Sequence, residues 1–225
     1  MIDLNGKRVL ITQAREFMGP ALCETFAGLG ATVIADDGAL DDPARPVALV
    51  AASGRVDVLV AHLSLPAPRS AAVEATDEEW REVFSSLVDP LPRLVRAVLP
   101  QMIERRAGKI LLMGSAAALR GQKRASTYSA ARAAQLAYIQ TVGIEVAEHG
   151  IQANAIAQNF VDNPTYFPPE VQANPRFQER LAREVPLGRL VAAREDAAFA
   201  AYLCSDLADC FVGQVFPVSG GWATR

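Results

Sequence analysis

The chain has 225 residues, 51% of them apolar, and a formal net charge of −3. That length and apolar content suit one domain with a full hydrophobic core and exclude a disordered chain. The slightly negative charge, without a basic run, gives no basis for a nucleic-acid partner. No apolar stretch approaches a membrane span, and no long apolar segment follows the opening Met1–Lys7 as a signal peptide would require, so the expectation is a cytoplasmic protein.

Short apolar runs alternate with helical patterns, the signature of an α/β domain built on a doubly wound parallel sheet with helices on both faces. Arg8–Thr12 reads as the first strand. Gly19 and Pro20 open a helix that runs to about Gly30, with the proline where a helix start tolerates it. Thr32–Ala35 reads as a second strand, Asp37–Ala52 has no clear pattern, and Val56–Val60 reads as a buried strand. Thr76 to Glu79 has the form of a capping box, and Pro90 and Pro92 predict a kink or break in the helix that follows. Lys109–Ser115 is a strand, Ser126–His149 a helix, and Ile151–Ile156 a strand. Asn159–Pro175 reads as an irregular, proline-rich insertion; a helix around Glu195–Cys204 and a strand over Gln214–Val218 complete the domain, with no repeat or linker along 1–225.

Cys23, Cys204 and Cys210 show no metal-ligand spacing, so no metal is expected; they read as buried apolar filler in a reducing compartment. His149, at the end of a predicted helix, reads as a C-terminal cap.

Three residues carry the chemistry. Ser115 ends a strand, and Tyr128 and Arg132 lie four apart, on one face of the same predicted helix. A guanidinium beside a phenol favours the phenolate, which makes the tyrosine a candidate base. A lysine at this position would suggest a nicotinamide enzyme; arginine is bulkier, permanently charged and not interchangeable with it. The first strand–helix turn, Thr12 to Gly19, retains one glycine where a dinucleotide loop needs several for close backbone approach to a pyrophosphate. Gln13 and Phe17 bring side chains into that turn and Glu16 a negative charge, although Phe17 packing on its helix is the simpler alternative. Asp36 falls where a ribose-binding carboxylate would sit and reads as a surface aspartate or a remnant.

On these residues, together with Pro186–Leu190 and Gly213–Gly221, the chain resembles the short-chain dehydrogenase/reductase superfamily over nearly its whole length, which implies a single Rossmann-like, three-layer α/β/α domain. Within it the chain looks like a halohydrin dehalogenase. Ser115, twelve residues, Tyr128, three residues and Arg132 match one motif of those enzymes; Thr12, four residues, Phe17, one residue and Gly19 match the other. Asn163–Pro168 resembles their halide-loop region, which implies a halide and substrate loop at about 158–178. Two departures stand out. The superfamily's catalytic asparagine would fall near Leu87, where no amide is present. An aspartate that supports the arginine in some dehalogenases is replaced by the run Ala61-His62-Leu63, with His62 as a substitute or a merely packed histidine.

The resemblance implies a lyase that converts vicinal halohydrins to epoxides, and opens epoxides with small anions, without NAD(P). Ser115 would orient the substrate oxygen, Tyr128 would take its proton, and Arg132 would support the phenolate. Thr12, Phe17, Gln158, Asn159, Phe160, Val161 and Phe167 would form the halide and substrate pocket, with the N–H groups of Phe160 and Val161 as halide donors. For Phe160 and Phe167, simple loop packing is an equal alternative, and Trp222 could border this pocket or a neighbouring subunit's. A homotetramer through a helix face of Ala130, Ala133, Ala134, Ala137 and Ile144 is also implied. The competing readings are an atypical NAD(P)-dependent short-chain oxidoreductase and a non-catalytic scaffold.

Overall fold

The computed structural model describes residues 1–224. Six strands form one parallel sheet: β1 (Arg8–Thr12), β2 (Thr32–Asp36), β3 (Val58–His62), β4 (Gly108–Ser115), β5 (Ile151–Gln158) and β6 (Val215–Val218). Their order is β2-β1-β3-β4-β5-β6, so the chain reverses its direction of winding between β1 and β3. In a sheet of this kind ligands bind beyond the carboxyl ends of the strands at that reversal. Every residue of β3 and seven of the eight in β4 are buried, as strands covered on both faces must be.

Helices α1 (Gly19–Gly28) and α8 (Ala193–Leu203) cover one face, where Leu22, Phe26, Ala197 and Ala200 join Val9, Ile11, Val58 and Met113 in one apolar cluster. The opposite face is covered by α2 (Arg45–Ser53), α3 (Asp77–Leu87), α4 (Pro90–Glu104) and α5 (Ser126–Val146). Two further helices, α6 (Pro169–Gln172) and α7 (Pro175–Glu184), follow β5. The doubly wound parallel sheet expected from the alternation of patterns, and the Rossmann-like three-layer fold that the resemblance implies, are therefore present. No helix among the described residues is long and apolar enough to cross a membrane.

Several local expectations shift. The third strand begins at Val58, because the Val56 N–H is taken by the Gln101 side chain and Asp57 bonds the Arg8 N–H; it then extends to His62, which pairs with Met113. The patternless stretch before β3 holds α2, and the insertion after β5 is partly helical, with α6 and α7 supplying the turns. Pro90 opens a new helix after Leu87, so the proline pair produces a break. Half of the capping box forms: Thr76 Oγ1 accepts from the Glu79 N–H at 3.2 Å, while the Glu79 carboxylate turns away to the hydroxyls of Ser70 and Thr127. His149 lies in a 3₁₀ extension of α5. Cys204 is buried, but Cys210 is exposed, so filler is the wrong description for it. Asp36 is buried and ion-paired with Arg45 rather than displayed at the surface.

Candidate active site

The turn after β1 is tied down before it reaches any ligand. Thr12 Oγ1 donates to the His62 carbonyl at 2.8 Å and accepts from the His62 N–H at 3.0 Å, clasping the ends of β1 and β3. Thr12 is fully buried in this role and is absent from the residues lining the cavity described below, which corrects its expected place in the pocket. Gln13 continues the clasp: its amide donates to the Ser64 carbonyl at 3.1 Å and accepts from the Ser64 N–H at 2.5 Å.

His62 Nδ1 lies 3.1 Å from the Gln13 carbonyl and Nε2 3.0 Å from Ser64 Oγ. A carbonyl accepts only, so the proton sits on Nδ1 and Nε2 accepts from the serine hydroxyl. Burial, with the Arg132 charge adding to it, pushes the imidazole down to about 4, so His62 is neutral at ordinary pH. It is a packed histidine on the cavity wall and makes no hydrogen bond to Arg132.

Gln13 and Phe17 both adopt left-handed backbone, at φ 46° and 44°. Such conformations cost on the order of 1–3 kcal/mol for a side-chain-bearing residue and persist where the surroundings enforce them. Gly19 is one of the enforcing elements: a Cβ there would lie 2.4 Å from the Ala14 carbonyl oxygen. The turn leaves the Phe17 ring against Tyr166, with centroids 5.3 Å apart, and edge-on to His62 at 6.4 Å.

Ser115 ends β4 and caps the following 3₁₀ turn, its Oγ accepting from the Ala117 N–H at 3.2 Å. Tyr128 and Arg132 occupy successive turns of α5, and both are buried. Arg132 Nη1 donates to the Leu63 carbonyl at 2.9 Å, to Gln135 Oε1 at 3.0 Å and, more weakly, to the Met113 carbonyl at 3.4 Å. No carboxylate pairs with it among the described residues, and its Nε is buried without a partner. A buried cation normally has a counter-charge; the Tyr128 ring packs beside this one, its centroid 5.1 Å from the guanidinium carbon.

Two residues of this network were not legible beforehand. Gln135, one turn beyond Arg132, donates to the Leu87 carbonyl at 2.5 Å while accepting from Arg132. An amide thus reaches the neighbourhood of Leu87 from α5, although α3 supplies none. Tyr166, from the loop after β5, donates to the Leu65 carbonyl at 3.2 Å and accepts from the Ala67 N–H at 3.0 Å. Burial first, then the nearby Tyr128, pushes its hydroxyl up to about 12. Its sequence signal was weak, because a tyrosine in a proline-rich loop carries no periodicity.

At the end of β5, Gln158 donates to Asp196, a fully buried carboxyl in the first turn of α8 that desolvation raises to about 7. The Phe160 N–H donates to Asn159 Oδ1 at 2.9 Å. It is therefore engaged and not free for a halide, which corrects one of the two expected donors; the Val161 N–H makes no hydrogen bond among the described residues. Phe160, left-handed at φ 52°, stacks on Phe167 at 6.1 Å and leans on Trp222 at 6.1 Å. Trp222 stands behind Phe160, capped by Arg120 at 4.7 Å, and is not on the cavity wall.

These elements enclose a cavity of about 240 Å³, into which Ser115, Tyr128 and Arg132 open from one side and Phe17, Phe160 and Phe167 from others. Gln158, Asn159 and Val161 also reach it, as do Tyr166 and Arg180, for which the sequence offers no periodic or motif signal. No group of three or more His, Cys, Asp or Glu residues is arranged to hold a metal among the described residues.

Residues 4–223 match the family model described as enoyl-(acyl carrier protein) reductase. The chain is 29% identical to the 3-oxoacyl-[acyl-carrier-protein] reductase of Escherichia coli strain K12, over 98% of each chain. It is 31% identical to the 2-keto-3-deoxy-L-fuconate dehydrogenase of Xanthomonas campestris pv. campestris, over 98% of this chain and 81% of that one. Among solved structures it is similar to one titled "Dehalogenation enzyme", with a TM-score of 0.92 and 32% identity over 99% of this chain and 100% of that one. A halohydrin dehalogenase bound to ethyl (2S)-oxiran-2-ylacetate gives a TM-score of 0.90 and 28% identity over 97% and 98%.

The matches overturn one expectation. The superfamily and the reductases and dehydrogenase to which the chain is similar work with NAD(P), so the expected absence of a nicotinamide cofactor is withdrawn. The first turn nevertheless fits a dinucleotide poorly. Gln13 is bonded across to Ser64, Asp36 is consumed by Arg45, the Phe17 ring stands in the turn, and Gly19 is needed by the turn's own backbone. By fold, and by a family match spanning nearly all of its length, the chain belongs to the short-chain dehydrogenase/reductase superfamily, in the family described as enoyl-(acyl carrier protein) reductase.

Proposed function

We propose that the protein is a halohydrin dehalogenase: it closes vicinal halohydrins to epoxides with release of halide, and runs the reverse opening of epoxides by small anions. The observation that carries this reading is the buried Arg132, which has no carboxylate among the described residues and lies beside Tyr128. A phenolate at Tyr128 would supply the missing counter-charge, as a base requires. Ser115 donates to the substrate oxygen and holds it toward Tyr128. Tyr128 takes the hydroxyl proton; the oxygen forms a bond to the neighbouring carbon as the carbon–halogen bond breaks, and the halide leaves with the bonding pair. Phe17, Phe160, Phe167 and the free Val161 N–H offer the leaving halide ring edges and one donor, a weak site from which an anion can depart. The similarity to a dehalogenation enzyme and to a halohydrin dehalogenase supports the same reading.

A second reading, reduction or oxidation with NAD(P), is favoured by the family model and by the reductase relatives, and a Ser–Tyr pair would serve it equally well. Ring closure by displacement transfers no hydride, so the two separate cleanly. Chloride release from 1,3-dichloro-2-propanol is measured with and without NADH and NADPH, alongside calorimetric titration of each nucleotide. Equal release in both conditions supports dehalogenation. Release that requires nucleotide, or tight nucleotide binding with no release, supports the second reading.

We further propose a homotetramer. Ala133, Ala137 and Ile144 of α5 face away from the chain's own core, as that assembly requires, and sedimentation equilibrium measures its mass.

A further inference from the structure

The cavity wall is electrostatically one-sided. Arg69, Arg132 and Arg180 reach it, its one histidine is held neutral, and no aspartate or glutamate lines it among the described residues. Arg132 is accounted for by Tyr128. Arg69 and Arg180 are exposed and stand apart from the proposed proton transfer. Arg180 projects from α7 with its guanidinium carbon 5.4 Å from the centroid of the Phe160 ring, which is itself part of the cavity wall. Its Nε is held by Glu184 at 3.1 Å, while neither Nη has a partner among the described residues. Glu184 is shared with Arg183, also at 3.1 Å, so two cations face one carboxylate and a net positive charge remains. The Arg69 side chain likewise pairs with no acid among the described residues, although its carbonyl accepts from Arg124 at 2.9 Å.

A guanidinium anchored through Nε and a ring face, with both Nη groups free, is set to grip a planar two-oxygen anion. We propose that the substrate carries a carboxylate a few bonds from the reacting centre, held by Arg180 with Arg69 reinforcing the field at the mouth: a halo-hydroxy acid and its epoxy acid. The inference rests on the dehalogenation reading for the reacting end of the molecule and on the arginines for the other end. It departs from the ester bound by the similar halohydrin dehalogenase, which offers no negative charge there.

Two paired probes test it. The first pair is 4-chloro-3-hydroxybutanoate and its ethyl ester, followed by chloride release. The second is 3-hydroxybutanoate and its ethyl ester, which have no halogen to lose, followed by calorimetry. The wild type is expected to prefer each acid over its ester severalfold, the order of one charge-assisted pair at an exposed site. Arg180→Gln is expected to abolish that preference and Arg180→Lys to retain part of it; thermal melts establish that both variants fold. An acid bound no more tightly than its ester, or an Arg180→Gln variant that weakens both alike, overturns the proposal. Chloride release without an acid preference leaves the dehalogenation reading intact and removes this one. An Arg180-dependent acid preference in binding, with no chloride released from either chlorohydrin, sustains the anion grip and removes the dehalogenation reading.

Discussion

The guanidinium carbon of Arg132 lies 5.1 Å from the centroid of the Tyr128 ring, one helical turn away, and both side chains are buried. The arginine's remaining contacts are uncharged: two carbonyls and the Gln135 amide oxygen. A buried cation whose neighbours are all neutral favours negative charge that develops nearby during the proposed ring closure.

Tyr128→Phe removes the proton acceptor and keeps the ring against Arg132. Halide release is expected to fall by roughly 10²–10⁴-fold, the range for loss of a general base, with the melting temperature little changed. A variant retaining more than a tenth of wild-type turnover would contradict the assignment.

Arg132→Lys keeps the charge and loses the planar shape that reaches three acceptors. Impaired turnover is expected, by roughly tenfold or more. Arg132→Met is expected to destabilise the fold as well, because the Leu63 carbonyl and Gln135 lose a buried donor, at a cost of about 1–3 kcal/mol per unsatisfied group. Paired chloride-release and melting measurements on the two variants separate the contributions of charge and of packing.

Asp196 makes stability fall as pH rises from about 4 to 7. Its folded-state value is raised to about 7 by burial, above the ordinary 3.8, so the stability of the neutral carboxyl is full below about pH 4 and is lost as pH rises through 7. Asp196→Asn removes this dependence. Its melting temperature is expected to overtake that of the wild type between pH 4 and 7 and to hold a constant lead above pH 7, worth on the order of a few kcal/mol. Parallel melting profiles of the two proteins from pH 4 to 9 would refute the assignment.

His62 works in the opposite direction over a similar range. Its folded value is depressed to about 4 from 6.5, so its contribution is complete above about pH 6.5 and disappears as pH falls toward 4. His62→Asn is expected to unfold less steeply across that acid range than the wild type, as followed by circular dichroism.

Gly19→Ala is expected to cost on the order of 1–3 kcal/mol, because the added carbon would meet the Ala14 and Gln13 carbonyls within 2.5 Å and backbone cannot step aside. Denaturant titration measures the loss.

The sequence by itself determined the architecture and brought Tyr128 and Arg132 of the candidate site together. Alternating apolar runs and helical patterns specify a parallel sheet, and the spacing of Tyr128 and Arg132 places them on one helix face; both are local properties, written in periods of a few residues. Patternless or proline-rich stretches concealed α2, α6 and α7, whose positions follow from packing against distant elements. Only the tertiary structure decided what each side chain meets. Thr12 belongs to the His62 backbone and not to the pocket, the Phe160 N–H belongs to Asn159, and Gln135 supplies an amide near Leu87, where α3 has none. Tyr166 and Arg180 reach the cavity from a loop and a helix separated from Tyr128 by 38 and 52 positions. Hydrogen-bond competition and long-range packing settle such pairings, and neither leaves a periodic trace in the chain.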